Sequence, residues 1–158
     1  GEIEEAWRVR VEQQGARLLI EEPGQLSLQA DEHLVKRVFS NLIGNALRHA
    51  GSGVSIRLGA RPASDPEGVT FTVRDDGVGI SPAYHEVVFR KFSALSKPGR
   101  RASSGLGLTF CKLAVEAHGG RIWLESRDGE GSAFHFSLPP VPPSPTAGVA
   151  TVADPVQL

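Results

Sequence analysis

The chain has one cysteine, no methionine and no long apolar run among its 158 residues. Cys111 alone cannot close an internal disulfide, which excludes a disulfide-stapled secreted scaffold and points to a reducing, cytoplasmic setting. Apolar runs such as Leu18-Leu19-Ile20 fall far short of the roughly 20 residues that cross a bilayer. No charged start leads into an apolar core and a small-residue cleavage site, so no secretory signal is expected. An excess of one charge is missing too. Seventeen basic and eighteen acidic residues leave a net charge of −1, which offers no broad surface for nucleic acid or lipid headgroups. A chain that opens on Gly1 and holds no methionine reads as a fragment excised from a longer protein, whose parent could still be membrane-anchored.

What is present is ordinary for a folded soluble domain: 40% hydrophobic and 22% charged residues. A chain of this length can bury roughly two-thirds of its unfolded surface in one core. Ile3, Ala6, Trp7 and Val11 recur at helical steps, predicting a helix from Glu2 to about Gln14, closed by Gly15. Short strands are expected at Arg17–Ile20 and Leu26–Leu28 around Pro23-Gly24. Asp31 is placed to cap the most regular helix, which runs to about Ala50 with its apolar stripe from Leu34 to Leu47. Alternation at Val54/Ile56/Leu58 and at Val69/Phe71/Val73 predicts two half-buried strands around a polar turn, Pro62–Gly68. A helix from Gly107 to Ala117 and strands at Ile122/Leu124 and Phe134–Leu138 complete the pattern, the last two joined by a turn at Asp128–Gly131.

Helices interleaved with mostly hairpin-paired strands predict an α+β domain over residues 1–139: a two-layer sandwich with helices on one face of a mixed sheet. Residues 140–158 are rich in proline and small residues and read as a flexible tail or linker. The stretch Ile80–Ser104 is too long for an ordinary connection and reads as a functional lid or a disordered loop.

Three segments carry candidate chemistry. On the long helix, Asn41, Asn45, Arg48 and His49 follow one another at spacings of four, three and one, forming a polar stripe beside the core. A solvated helix face is one reading. Amides that close to a core need partners, however, and their carbonyl oxygens suit a hard cation while Arg48 suits a phosphate. After the strand Val69–Val73 comes Asp75-Asp76-Gly77-Val78-Gly79-Ile80. It is either a turn ending a strand or a carboxylate set to take a hydrogen bond from an exocyclic amine, with glycines that let a planar ring approach. Ser103-Ser104-Gly105-Leu106-Gly107-Leu108 opens a helix, and glycine-rich backbone there offers free N–H donors to phosphate oxygens. An ordinary helix start can look the same. Between these glycine segments, Phe89 and Phe92 could anchor a lid, while Arg90, Lys91, Lys97, Arg100 and Arg101 could reach a triphosphate or simply be solvated.

In this order the segments resemble the catalytic domain of two-component sensor histidine kinases. The matching boxes are Asn41-Leu-Ile-Gly-Asn45-Ala-Leu-Arg48-His49, Asp75–Ile80, Val88–Phe92 and Gly105–Leu108, and the likeness covers about Glu2 to Pro139. The resemblance implies the Bergerat ATP-binding fold, with a mostly antiparallel mixed sheet and a long ATP lid. It implies ATP and Mg2+ as ligands. Asp75 would bind the adenine amino group, over a base pocket floored by Gly77, Gly79 and Ile80. Asn45 with Asn41 would hold Mg2+, Arg48 would contact phosphate, and His49 would lie along the ribose or base. Phe92, Lys97 and Arg100 of the lid would close on the nucleotide, and Ser104, Gly105, Leu106, Gly107 and Leu108 would wrap the phosphate chain. Ser132 would support Asp75 through a water.

Three residues depart from the family pattern: Arg48 for the usual lysine, His49 for tyrosine, and Ser103 for a frequent glycine. Related ATPases carry a glutamate where Asn41 stands. An amide cannot act as a general base, which fits transfer to an imidazole that is already nucleophilic better than attack by water. The resemblance therefore implies transfer of the γ-phosphoryl group to a histidine on a separate dimerisation domain, and indirectly to a response regulator. Of the five histidines only His85 precedes an acid, in His85-Glu86-Val87-Val88, without the Arg-Thr-Pro continuation of an acceptor site. The fragment itself is expected to be monomeric. A nucleotide-binding regulatory module without productive transfer is the alternative.

Overall fold

The computed structural model describes residues 2–24, 26–64, 67–90, 107–140 and 155–157. The periodic segments all form their expected elements. Helix α1 (Glu2–Gln13) leads into strand β1 (Arg17–Ile20), then β2 (Ser27–Gln29) and helix α2 (Glu32–His49). Strands β3 (Ser55–Ser64) and β4 (Glu67–Asp75) follow, then helix α3 (Gly107–Ala117), β5 (Arg121–Ser126), β6 (Ser132–Leu138) and β7 (Pro155–Gln157). The main sheet has five strands in the order β1-β3-β4-β6-β5. Only β1 and β3 pair in parallel; the other pairs are antiparallel.

The core lies between this sheet and the helices. Val35, Val38, Phe39, Leu42, Ile43 and Ala46 form the buried face of α2. Phe39 meets Phe71 of β4 and Phe136 of β6 edge-on, with ring centroids 5.6 and 5.3 Å apart. Trp7 of α1 joins this cluster at 5.5 Å from Phe39 and donates from its indole nitrogen to Ser40 Oγ at 3.0 Å. Burying such side chains contributes roughly 1.5–3 kcal/mol each. Asp31 caps α2 as its position suggested, its side chain accepting from Leu34 N at 3.2 Å.

One expectation needs correction. The polar turn placed at Pro62–Gly68 is largely strand, with Pro62 opposite Val69, Ala63 opposite Gly68 and Ser64 opposite Glu67. β1 pairs with β3 only as far as Leu58, so among the described residues no strand covers the edge at Pro62, where a missing N–H breaks no ladder bond. The start of the presumed lid carries local structure. It forms short 3-10 turns at Pro82–Tyr84 and Val87–Phe89, with Val88 buried and Phe89 edge-on to Phe134 at 6.0 Å. Near the C terminus, β7 pairs antiparallel with β2, Val156 facing Leu28, a strand that no alternation in the sequence marks.

Among the described residues no helix is long and apolar enough to cross a membrane.

Candidate functional site

The candidate residues gather where the C-terminal half of α2 meets the ends of β4 and β6 and the start of α3. Asn45 lies on the buried side of α2 at 7% exposure, Asn41 is half-buried, and Arg48 is exposed. His49 is the last residue of α2 and half-buried. Arg48 is held below an ordinary guanidinium pKa, first by partial burial and then by the neighbouring charge of Arg10.

Asp75 ends β4 at 7% exposure, opposite Ser132 of β6. Its Oδ1 accepts from Gly77 N at 3.0 Å. Burial raises its pKa; hydrogen bonds from the backbone of Gly77 and Ser132 oppose that rise, and the Asp76 charge adds to it. Asp76 serves the scaffold, accepting from Ser55 N at 2.7 Å and so tying the start of β3 to the turn.

The glycines of this turn answer to close approach. A Cβ at Gly77 would lie 2.3 Å from Ala50 O, at the C-cap of α2, so the turn packs directly on the helix end. Val78 N donates to the same carbonyl at 3.3 Å. Gly79 has φ +76°, and a Cβ there would meet Arg127 O at 1.9 Å. Gly77, Gly79 and Ile80 therefore form a thin wall between α2 and the β5–β6 connection, with Ile80 packed against the core.

Of the glycine-rich segment, Gly107 and Leu108 are described. Gly107 opens α3, and a Cβ on it would be 3.3 Å from Asn41 Oδ1, so the start of α3 lies against the amide stripe. Leu108 packs on the core. Cys111, one turn further on, is fully buried, with its thiol pKa pushed up to about 12 chiefly by burial, as suits a structural residue. Phe92, Lys97, Arg100, Ser104, Gly105 and Leu106 lie outside the described residues.

Ser126 is a member of the site that the motifs did not reveal. Its hydroxyl accepts from Ile80 N at 2.7 Å and donates to Gly131 O at 2.7 Å. With that proton committed, Ser132 Oγ donates to Ser126 Oγ at 2.9 Å. Ser126 thus pins the glycine turn to the end of β5 from 46 positions away in sequence. Nothing local to it distinguishes it from any serine at a strand end.

A cleft of about 450 Å3 borders the back of the Asp75 turn, lined by Arg57, Arg74, Asp75, Ser126 and Ser132 among others. Its lining does not include Asn41, Asn45 or Gly107, so it is separate from the amide stripe. Among the described residues no group of three or more His, Cys, Asp and Glu side chains could hold a metal. A cation at Asn41 and Asn45 would take most of its ligands from phosphate and water, a coordination that suits Mg2+.

Residues 30–142 match the family model described as histidine kinase-, DNA gyrase B-, and HSP90-like ATPase. The phytochrome-like protein Cph1 of Synechocystis sp. is 38% identical over 130 residues, covering 82% of this chain and 17% of that protein. The adaptive-response sensory kinase SasA of Synechococcus sp. is 37% identical over 138 residues, covering 87% of this chain and 36% of that protein. The chain thus spans about a third or less of the length of these relatives. The catalytic domain of the histidine kinase ThkA superposes with a TM-score of 0.73 at 26% identity, covering 90% of this chain and 91% of that domain.

Proposed function

Because the chain belongs to the histidine kinase-, DNA gyrase B- and HSP90-like ATPase family, we propose that it binds Mg–ATP and transfers the γ-phosphoryl group to a histidine on a separate dimerisation domain. The observation that carries this reading is the meeting of two backbone elements on α2: the Asp75 turn on Ala50 at its C-cap and Gly107 against Asn41, with Asn45 buried on the helix between them.

In this reading the ionised Asp75 accepts a hydrogen bond from the adenine amino group. Its geometry is set by Gly77 N and by the backbone of Ser132. The wall of Gly77, Gly79 and Ile80 gives the flat base a surface without side chains in its way. Asn41 and Asn45 present amide oxygens to the metal, which neutralises phosphate charge when bound. Arg48 grips a phosphate oxygen, and its forked guanidinium permits two parallel bonds where lysine makes one. The N–H groups at the start of α3 face the phosphate chain across from Asn41.

No carboxylate stands at position 41 to take a proton from water. An imidazole attacks without such help, so positioning and charge neutralisation suffice for transfer to histidine. The histidine-bearing helices are this domain's direct partner, and a response regulator acts downstream of them. The sensory-kinase relatives support that assignment.

The test mixes the chain with the histidine-bearing domain of its parent and γ-labelled ATP. Acid-labile label on a histidine of that domain is the expected result. Tight nucleotide binding with no transfer would reassign the chain to a regulatory nucleotide-binding role, and absence of nucleotide binding would overturn the reading altogether.

A further inference from the structure

Two arginines from different helices converge on one spot beside the amide stripe. Gly44 lies one turn before Arg48 on α2 and carries no side chain. A Cβ placed on it would be 3.2 Å from Arg48 Nη1 and 3.4 Å from Arg10 Nη2. The approach follows from packing. Trp7 of α1 docks on Phe39 and Ser40 of α2, so one turn further along each helix Arg10 comes abreast of Gly44. Arg37, the other arginine on this side of α2, is engaged elsewhere, its guanidinium 4.1 Å from the Phe110 ring centroid.

Like charges brought together repel one another, and the depressed pKa of Arg48 registers the charge of Arg10 after its own partial burial. An arginine near the C-terminal end of α1 is favourable for that helix's dipole, but dipole stabilisation does not require it to face another guanidinium. A group carrying several anionic oxygens would be met by both guanidinium groups at once.

We propose that Arg10 is a second phosphate-binding residue, sharing the terminal phosphate of the nucleotide with Arg48 across the side-chain-free surface of Gly44. This rests on the nucleotide reading above and extends the site onto α1, outside the residues 30–142 that match the family model. It also gives a role to the absence of a side chain at Gly44. A Cβ there would displace the Arg48 guanidinium by a few tenths of an ångström and touch that of Arg10.

The experiment measures Mg–ATP, Mg–ADP and AMP affinities by titration calorimetry for the unmodified chain, Arg10→Gln and Arg10→Lys, alongside thermal unfolding. A hydrogen bond to a charged group is strong enough that Arg10→Gln should weaken ATP roughly tenfold or more while leaving AMP unchanged. Arg10→Lys, which keeps the charge without the fork, should fall between. A purely structural Arg10 would lower all three affinities together with the unfolding temperature, and that would overturn the inference. So would Arg10→Gln binding ATP within twofold of the unmodified chain, including the case in which only transfer to the histidine domain is lost, which would assign Arg10 to docking. If the unmodified chain itself bound no Mg–ATP, the nucleotide reading would fail first and this extension with it. Arg10→Lys keeps the test decisive if Arg10→Gln does not fold.

Discussion

Asp75→Asn separates the binding role of the carboxylate from its place in the fold. The substitution keeps the side chain's shape. Its carbonyl oxygen can still accept from Gly77 N, now at 3.0 Å from Oδ1. The second oxygen becomes an NH2 group, which would face the adenine amino group donor to donor. Losing a hydrogen bond to a charged acceptor removes about 1.5–3 kcal/mol, which corresponds to roughly 10- to 150-fold weaker adenine nucleotide binding. Stability should move the other way. Burial raises the Asp75 pKa, so ionising it is harder in the folded chain than in the unfolded one. Such a group detracts from stability at neutral pH, and the penalty fades as pH falls through the raised pKa. Asp75→Asn should therefore unfold at the same or a higher temperature while binding poorly. The same shift means that acid should abolish nucleotide binding at a higher pH than an ordinary aspartate near 3.9 would allow. Calorimetric titration with Mg–ATP from pH 8 down towards pH 4, paired with thermal melts, measures all of this. A variant that binds ATP within threefold of the unmodified chain would refute the role assigned to Asp75.

Other substitutions probe the scaffold around the site. Gly77→Ala puts a methyl 2.3 Å from a backbone carbonyl, a clash that only a shift of the turn or the α2 end relieves; about 1–3 kcal/mol of lost stability and weakened nucleotide binding should appear together in melts and titrations. Gly107→Ala meets, nearest among the described residues, the Asn41 side chain at 3.3 Å, and should be far milder in the same measurements. Ser126→Ala removes the partner of both Ile80 N and Gly131 O, for a loss of about 1–3 kcal/mol in denaturant unfolding, with adenine affinity reduced through the loosened turn. His135 is buried with its pKa lowered by desolvation, against an opposing pull from Glu125. Its folded pKa therefore lies below the unfolded value of 6.5, so as pH falls through that value the unfolded chain takes up the proton first and stability drops. His135→Gln should flatten the pH dependence of the melting temperature between pH 7 and 5.

The order of elements was legible because each carries a period of its own. The apolar stripe of α2 recurs at three and four residues, and the alternation in β4 and β6 sends Phe71, Val73, Phe134 and Phe136 to one face. The Asp75–Ile80 turn and the Asn41–His49 stripe were legible for a different reason. Glycines and polar residues set hard against apolar runs are costly unless a partner or a ligand compensates, which marks them as candidates, and their order resembles that of the kinase family. Pro62 misled for a local reason: it reads as a strand breaker, and only the limited reach of β1 leaves an edge that no described strand covers and that tolerates it.

Local pattern alone thus determined the helices and the strands and singled out the candidate residues, because periodicity and backbone freedom are properties of neighbours in sequence. Tertiary structure decided what supports and completes them. Ser126 reaches Ile80 only because β5 and β6 are paired and the turn folds over their ends. Arg10 meets Arg48 only because Trp7 seats α1 on Phe39 and Ser40. Contacts between residues tens of positions apart depend on how whole elements pack, and a one-dimensional pattern does not carry that information.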